Sequence, residues 1–183
     1  MIKRQMSEIE KTEADKVFAG VVDYGKIQIS EDDEFPLRAE KIGAFVGRRD
    51  PRNTNAVTLG NRVRFSRVLK TRETDSEDEN LRDMGWLIHE LTHVWQFQTY
   101  GWIYLPQAIG AHLTKGQKAY QYSEKSTLED RGEDLKVMWE QGIRFHNFNR
   151  EQQGNITRDY YRRLEHSMDT SGWLLFIEDM RTL

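Results

Sequence analysis

The chain is organised around the segment Leu87-Ile88-His89-Glu90-Leu91-Thr92-His93-Val94-Trp95-Gln96. Two histidines stand four residues apart in it, with a glutamate directly after the first. In an α-helix, residues at this spacing share a face with Cβ atoms about 5–6 Å apart, so both imidazoles can reach one metal ion. Glu90 lies about 100° further round the helix, where its carboxylate can take a proton from a metal-bound water. The pattern predicts a zinc site with His89 and His93 as ligands and Glu90 as general base.

The residues around this motif are typical of a long helix with one buried face. Apolar side chains recur every three or four residues without an intervening proline, at Leu81, Met84, Leu87, Ile88, Leu91, Val94 and Trp95. Acidic residues precede them, where negative charge stabilises a helix N-terminus, and Asp78 or Asn80 is the candidate N-cap. We therefore predict a helix over residues 81–97, with the histidines at the border of its buried stripe.

Composition limits the class of protein. A chain of 183 residues, 37% of them hydrophobic, predicts a single domain over residues 1–183. The net charge is -3, which argues against nucleic acid or an anionic membrane as a partner. Because there is no cysteine, a metal ion must be held by histidines and carboxylates. We expect neither a Sec signal nor a membrane span, since no apolar run of suitable length is present.

The rest of the sequence predicts a few strands followed mainly by helices. Alternating or β-branched segments predict strands at residues 26–30, 54–59 and 62–66, the last two forming a hairpin at Gly60-Asn61. Capping and spacing predict helices over residues 7–19 (capped by Ser7), 127–141 and 150–166, and a short one from Pro106 to His112. The expected fold class is α+β, in which a small antiparallel or mixed sheet packs beside the metal-binding helix.

A catalytic zinc site needs a third protein ligand, with the fourth position left to water. The candidates downstream are His112, Glu124, Glu129, Glu133, His146 and Glu151. The local sequence favours Glu151, because Asn149 can cap a helix there and Gly154 lets that helix approach the metal helix closely. Alternatively, Glu151 is an ordinary glutamate of a first helical turn, and His146 or Glu124 completes the site.

Several blocks of the sequence resemble, in the same order, the zincin-like metallopeptidases related to the peptidase extensions of type VI secretion spike proteins. They are Val17–Tyr24, Ala56–Phe65, Leu87–Gln96 and Phe148–Gly154, so the similarity extends over residues 8 to 161. The helix motif is common to many zincins, whereas the other three blocks together are more specific. The resemblance implies a zincin-like fold, zinc-dependent peptidase activity and Glu151 as the third zinc ligand, as in gluzincins.

One position departs from the gluzincin pattern. In thermolysin-like gluzincins, an aspartate four residues after the ligand glutamate accepts a hydrogen bond from a ligand histidine. Asn155 stands at that position here. A neutral amide can still accept an imidazole N–H, but it does not raise ligand basicity as a carboxylate does, and Asp159 is the alternative partner.

The expected reaction is hydrolysis of a peptide amide, in which Glu90 takes the proton of a zinc-polarised water and delivers it to the leaving amine. A second group must stabilise the oxyanion. The chemically able residues are Tyr100, Tyr104, Tyr120, Tyr122, His112 and His146, and the sequence does not choose among them. We expect His166 to lie on the surface.

Two functions follow from these observations. The first is a zinc peptidase acting on protein or cell-wall peptides as a secretion effector or toxin. The resemblance then implies a cytoplasmic location in the producing cell, export by a non-Sec route, and a spike, carrier or immunity protein as partner. The second is a non-enzymatic docking module of a secretion or phage-like injection apparatus with a structural metal, in which the aromatic segment Tyr100–Tyr104 supports docking.

Overall fold

The computed structural model describes residues 1–35, 56–103 and 120–183. Its helices and strands in chain order are β1 (Ile2–Arg4), α1 (Glu8–Phe18), β2 (Gln28–Glu31), β3 (Ala56–Leu59), β4 (Arg62–Phe65), α2 (Glu77–Tyr100), α3 (Leu128–Glu140), α4 (Arg150–Glu165) and α5 (Ser171–Arg181). The α+β class and the mostly helical content are confirmed. The zincin-like assignment stays a prediction, and the short helix expected from Pro106 to His112 lies outside the described residues.

The described strands form one mixed sheet in the order β1-β2-β4-β3. β2 runs parallel to β4, while β1 and β3 are antiparallel to their neighbours. The predicted hairpin is present, with Thr58 opposite Val63, and Gly60 has a φ of 62°, which glycine adopts without strain. β1 was not predicted, because three residues are too few for an alternating pattern. β3 is the edge strand of the described sheet next to α2.

The predicted helices are present with small shifts at their ends. α1 begins after Ser7 with the expected capping box to Glu10, and α4 begins after Asn149 with a capping box to Gln152. α2 begins after Ser76, so neither Asp78 nor Asn80 is its N-cap as predicted. α5 was missed, although its buried residues follow helical spacing. None of the helices within the described ranges is long and apolar enough to cross a membrane.

α2 is buried on every side over residues 87–96, rather than along one stripe as predicted. β3 packs on one side of this helix and α4 on another, so its polar residues are enclosed together with its apolar ones. Two glycines allow α2 and α4 to approach closely. A Cβ at Gly85 would lie 2.8 Å from the Arg162 side chain, and one at Gly154 would lie 2.7 Å from the His89 ring.

A buried group of charges joins the N-terminus to the sheet. The Arg4 guanidinium donates two hydrogen bonds to Glu10, at 2.7 and 2.8 Å, and one to Glu31 at 2.8 Å. Glu10 also accepts from the Thr71 hydroxyl at 2.7 Å, and Leu69 donates its backbone N–H to Glu31. We call Arg4, Glu10, Glu31 and Thr71 the N-terminal ion cluster, in which the two carboxylates share one fixed cation and each also accepts from neutral donors.

Candidate metal centre

α2 places the two histidines of the motif on one face in the interior of the protein. His89 and His93 are each only 7% exposed, and their ring centroids are 5.1 Å apart at an edge-on angle. This is the arrangement expected for residues four apart on a helix. The two rings are held on a rigid element, because the surrounding turns of α2 are buried in the core.

Glu151 enters the same space from the first turn of α4. Its Oε2 atom lies 3.3 Å from Nε2 of His89 and 3.6 Å from Nε2 of His93. One donor atom from each of the three residues falls within 4.8 Å of the others, so the group can hold a metal ion. Donors about 2.0–2.1 Å from a tetrahedral ion lie roughly 3.3 Å from one another, which is close to the separations found here.

The position of Glu151 follows from its local sequence. The Asn149 side chain accepts hydrogen bonds from the backbone N–H groups of Glu151 and Gln152, which starts α4 at this point. Gly154 lies one turn later, and a Cβ there would approach three ring atoms of His89 to between 2.7 and 2.9 Å. The helix that carries Glu151 can therefore reach this depth only because residue 154 has no side chain.

The other candidates for the third ligand lie elsewhere. Those within the described residues are exposed, namely Glu124, Glu129, Glu133 and His146. Glu129 pairs with Arg163, and Glu133 pairs with Lys136. His112 lies outside the described residues. His166 is exposed at the end of α4, as predicted.

Glu90 is held beside the histidines by a residue that sequence reasoning did not single out. It is 7% exposed, and its Oε2 accepts a 2.7 Å hydrogen bond from the Thr58 hydroxyl on β3. Thr58 belongs to the block Ala56–Phe65, one of those that carry the family resemblance, and this was the available signal. The sheet edge therefore orients the carboxylate that is the candidate general base.

The electrostatic environment of His93 is negative. Burial alone would lower the pKa of its imidazole, but Glu151 and Glu90, together with hydrogen bonds to Glu151 and Gln96, raise that pKa to about 9. At neutral pH, metal-free His93 is therefore a positively charged imidazolium with a hydrogen on both ring nitrogens. Because a ligand imidazole must be neutral, binding of a metal ion would release one of these protons.

In the part of the chain that the structure describes, neither Asn155 nor Asp159 hydrogen-bonds to a ligand histidine. Among the described residues, Nδ1 of His89 and Oδ1 of Asn155 are buried polar atoms without a hydrogen-bond partner, while the Asn155 amide donates to the Tyr120 carbonyl. Asp159 is not the histidine partner that the sequence suggested as an alternative. Its two oxygens instead accept hydrogen bonds from Tyr122 and Arg158.

The residues considered for oxyanion stabilisation have mixed surroundings. The Tyr122 hydroxyl is occupied, because it donates to Asp159 and accepts from the Trp173 indole. Tyr100 packs edge-on against Trp95 and under the Arg150 guanidinium. Tyr120 is half-buried, and its carbonyl accepts from Asn155. Tyr104 and His112 lie outside the described residues, so the oxyanion role stays unassigned.

Comparison with known proteins gives one relationship at the level of sequence. Over 158 residues the chain is 28% identical to the type VI secretion system spike protein VgrG2b of Pseudomonas aeruginosa. This similarity links the chain to type VI secretion spike proteins. The aligned region covers 86% of this chain but 13% of VgrG2b, so the chain corresponds to a small part of that protein. No protein-family profile and no solved structure matches the chain.

Proposed function

We propose that this protein is a zinc-dependent peptidase. The observation that carries the proposal is the convergence of His89, His93 and Glu151 around one point, with a further buried carboxylate, Glu90, on the same helix as the histidines. Two imidazole nitrogens and one carboxylate oxygen form a donor set that suits zinc. Three protein donors are also the number that a catalytic zinc site uses.

The chemistry follows from the positions of these side chains. His89, His93 and Glu151 would hold the ion, which supplies a polarised water when it is bound. Glu90 takes the proton from that water and returns it to the leaving amine. The Thr58 hydroxyl, 2.7 Å from Oε2 of Glu90, keeps that carboxylate oxygen in a fixed position, and we assign proton transfer to the other oxygen.

Metal binding is the first part to test. Purified protein should contain about one zinc per chain by elemental analysis, and His93→Ala should lose it. His166→Ala is the matched control, because His166 is exposed and distant from the site, and this variant should keep its zinc. Wild-type protein that takes up no divalent metal would exclude the proposed function.

Catalysis is tested separately with Glu90→Gln, which retains the shape of the side chain but cannot accept a proton. Its zinc content should be unchanged, while cleavage of a peptide library should fall by about 10²–10⁴-fold, the usual contribution of a general base. A Glu90→Gln variant that cleaves as fast as the wild type would contradict the mechanism.

The similarity to a type VI secretion spike protein supports a setting for this activity. We propose that the protein is exported with that apparatus and cleaves protein or cell-wall peptides outside the producing cell. Secretion should therefore depend on an intact type VI system.

The second candidate, a docking module, is favoured by Trp102, which is 61% exposed and stacks edge-on against Phe97. Binding to a spike protein, with full biological effect in Glu90→Gln, would support that function instead.

A further inference from the structure

Two buried glutamine side chains connect His93 with the helix that carries Glu151. The Nδ1 atom of His93 lies 2.9 Å from Oε1 of Gln96. The Gln96 amide nitrogen in turn donates to Oε1 of Gln153 at 2.9 Å and to the backbone carbonyl of Arg150 at 3.0 Å. Both glutamines are 0% exposed, so solvent does not replace any of these contacts.

The far end of this chain of hydrogen bonds fixes the direction of the Gln153 amide. Its nitrogen faces two backbone carbonyls, those of Phe145 and Phe148, both at 3.0 Å. A carbonyl oxygen only accepts, so the group facing it must be the NH₂ end. The opposite end lies 3.4 Å from the Arg150 guanidinium, which only donates, and must therefore be the oxygen. The oxygen and nitrogen of Gln153 cannot be exchanged without losing these bonds.

This direction is passed on to His93. Because Gln153 presents its oxygen, Gln96 must turn its NH₂ group toward Gln153, where it also meets the Arg150 carbonyl. Its oxygen is then the atom that faces the imidazole, and an oxygen requires a donor. Nδ1 of His93 must therefore carry a hydrogen whether or not the ring is charged, so in the neutral ring that binds a metal the lone pair is on Nε2, on the side of Glu151.

We infer that Gln153, acting through Gln96, holds His93 in the Nδ1–H form and so selects Nε2 as its metal-binding atom. Both glutamines are positioning residues. The inference rests on the metal-binding part of the proposed function and is independent of peptide hydrolysis. Carboxamides suit this role because they orient the ring without adding a negative charge to a buried site that already contains Glu90 and Glu151.

We call the hydrogen bonds that lead from Gln153 through Gln96 to His93 the relay. The relay also connects the metal centre to a turn outside it. The two carbonyls that orient Gln153 belong to the segment around the 3-10 turn Phe145–Asn147, directly before the cap of α4. The segment that leads into the cap of α4 thus also orients the amide that decides which nitrogen of His93 is available. A change in the conformation of this turn would therefore affect His93 through the side-chain amides of Gln153 and Gln96, in addition to any effect through Glu151.

The first test uses wild-type protein with ¹⁵N-labelled histidine, observed by NMR with and without zinc. Without metal, and at a pH above the His93 pKa of about 9 so that the ring is neutral, the inference requires a slowly exchanging Nδ1 proton on His93 with a nuclear Overhauser contact to the Gln96 side chain. With zinc, the ¹⁵N shifts should show Nε2 bound and Nδ1 still protonated. A rapidly exchanging or absent Nδ1 proton, or zinc bound through Nδ1, would overturn the inference. The metal-free measurement decides the question even if zinc does not bind.

The second test compares a glutamine of the relay with one outside it. Gln153→Met removes the relay while keeping length and burial, and it should weaken zinc binding by about 10–100-fold, as loss of an outer partner of a ligand histidine does. Gln98→Met is the control, because the Gln98 side chain donates to the Asp23 carbonyl and to the Asn61 side chain and not to the metal centre. Its zinc affinity should stay within about twofold of the wild type. Equal zinc affinity in Gln153→Met and the wild type would contradict the inference, and the wild-type NMR result stands if this variant does not fold.

Discussion

The N-terminal ion cluster and the metal centre both bury carboxylates, but they neutralise them differently. In the cluster, the carboxylate of Glu10 meets a guanidinium, which is permanently charged and bonded at 2.7 and 2.8 Å. At the metal centre, the groups that face Glu151 across the site are two imidazoles, at 3.3 and 3.6 Å. An imidazole can lose its proton and bind a metal, whereas a guanidinium can do neither.

This difference distinguishes a structural charge pair from a site that can bind a metal ion. Burial and charge alone would rank Glu10 above Glu151, since Glu10 is 0% exposed and Glu151 is 7% exposed. The identity of the partner distinguishes them. A threonine hydroxyl at 2.7 Å is present in both regions, from Thr71 to Glu10 and from Thr58 to Glu90, so a neutral donor of this kind does not distinguish them.

The largest expected contrast comes from the same substitution in each region. Glu10→Gln should lower the free energy of unfolding by about 3 kcal/mol, the low end for breaking a buried pair, because Arg4 still reaches solvent. Glu151→Gln in the metal-free protein should cost less, since His93 can respond by losing its proton. Urea unfolding of the two variants without metal measures this. A larger loss of unfolding free energy in Glu151→Gln than in Glu10→Gln would contradict this explanation.

Zinc affinity should show the reverse order. Glu151→Gln should lose more than the about 10–100-fold associated with an outer partner, because it removes a proposed ligand. Glu10→Gln should bind zinc like the wild type at temperatures where it is folded. Competition with a chromophoric chelator gives both values.

The two threonines that donate to buried carboxylates, Thr58 to Glu90 and Thr71 to Glu10, allow the same comparison for neutral donors. Thr58→Val should reduce peptide cleavage by about 10–100-fold with zinc retained, because a hydrogen bond to a charged group contributes about 1.5–3 kcal/mol. Thr71→Val should leave cleavage unchanged and lower stability instead. Steady-state cleavage and urea unfolding of both variants test this, and an active Thr58→Val enzyme would contradict the role of Thr58.

A smaller effect is expected from the two glycines between α2 and α4. Gly154→Ala should cost about 1–3 kcal/mol and weaken zinc binding, because its Cβ would meet three atoms of the His89 ring. Gly85→Ala should cost less, since the Arg162 side chain that it meets can move and alanine favours a helix. Thermal unfolding and zinc titration of both variants would measure this difference between the two glycines. Equal losses of zinc affinity in the two variants would contradict it.

The smallest effect is a dependence of metal-free stability on pH that belongs to the structural carboxylates. Burial alone would raise the pKa of Glu10, but its bonds to Arg4 lower that pKa, and Arg67 does the same for Asp83. The folded protein therefore binds fewer protons than the unfolded chain, so this stability is present above about pH 4 and is lost on further acidification. Glu10→Gln should flatten the acid side of the stability profile, and an unchanged profile would argue against the pairing.

The sequence predicted the parts of this structure that depend on local spacing and capping. The helix over residues 81–97, the caps at Ser7 and Asn149 and the hairpin at Gly60 all follow from neighbours within a few residues. Glu151 follows His89 by 62 positions, and its proximity to the histidines could be anticipated from the Asn149 cap, from Gly154 as a mark of close helix approach, and from the family resemblance.

The remaining features depend on contacts between distant elements. Thr58 faces Glu90 across 32 positions and Gln153 faces Gln96 across 57, and neither pair leaves a periodic signal. The alternative that Asp159 is a histidine partner was wrong for the same reason. It is engaged by Tyr122, whose position is set by tertiary packing. α5, in contrast, carried a readable apolar spacing and could have been predicted.

The separation of the donors along the chain has a thermodynamic consequence. An unfolded chain keeps His89 and His93 close in sequence, but it holds Glu151 at the end of a loop of 62 residues. An ion that needs all three therefore favours the native state, and the melting temperature should climb with free zinc as the logarithm of its concentration. Heating the protein over a zinc series would thus measure the affinity of the site without any substrate.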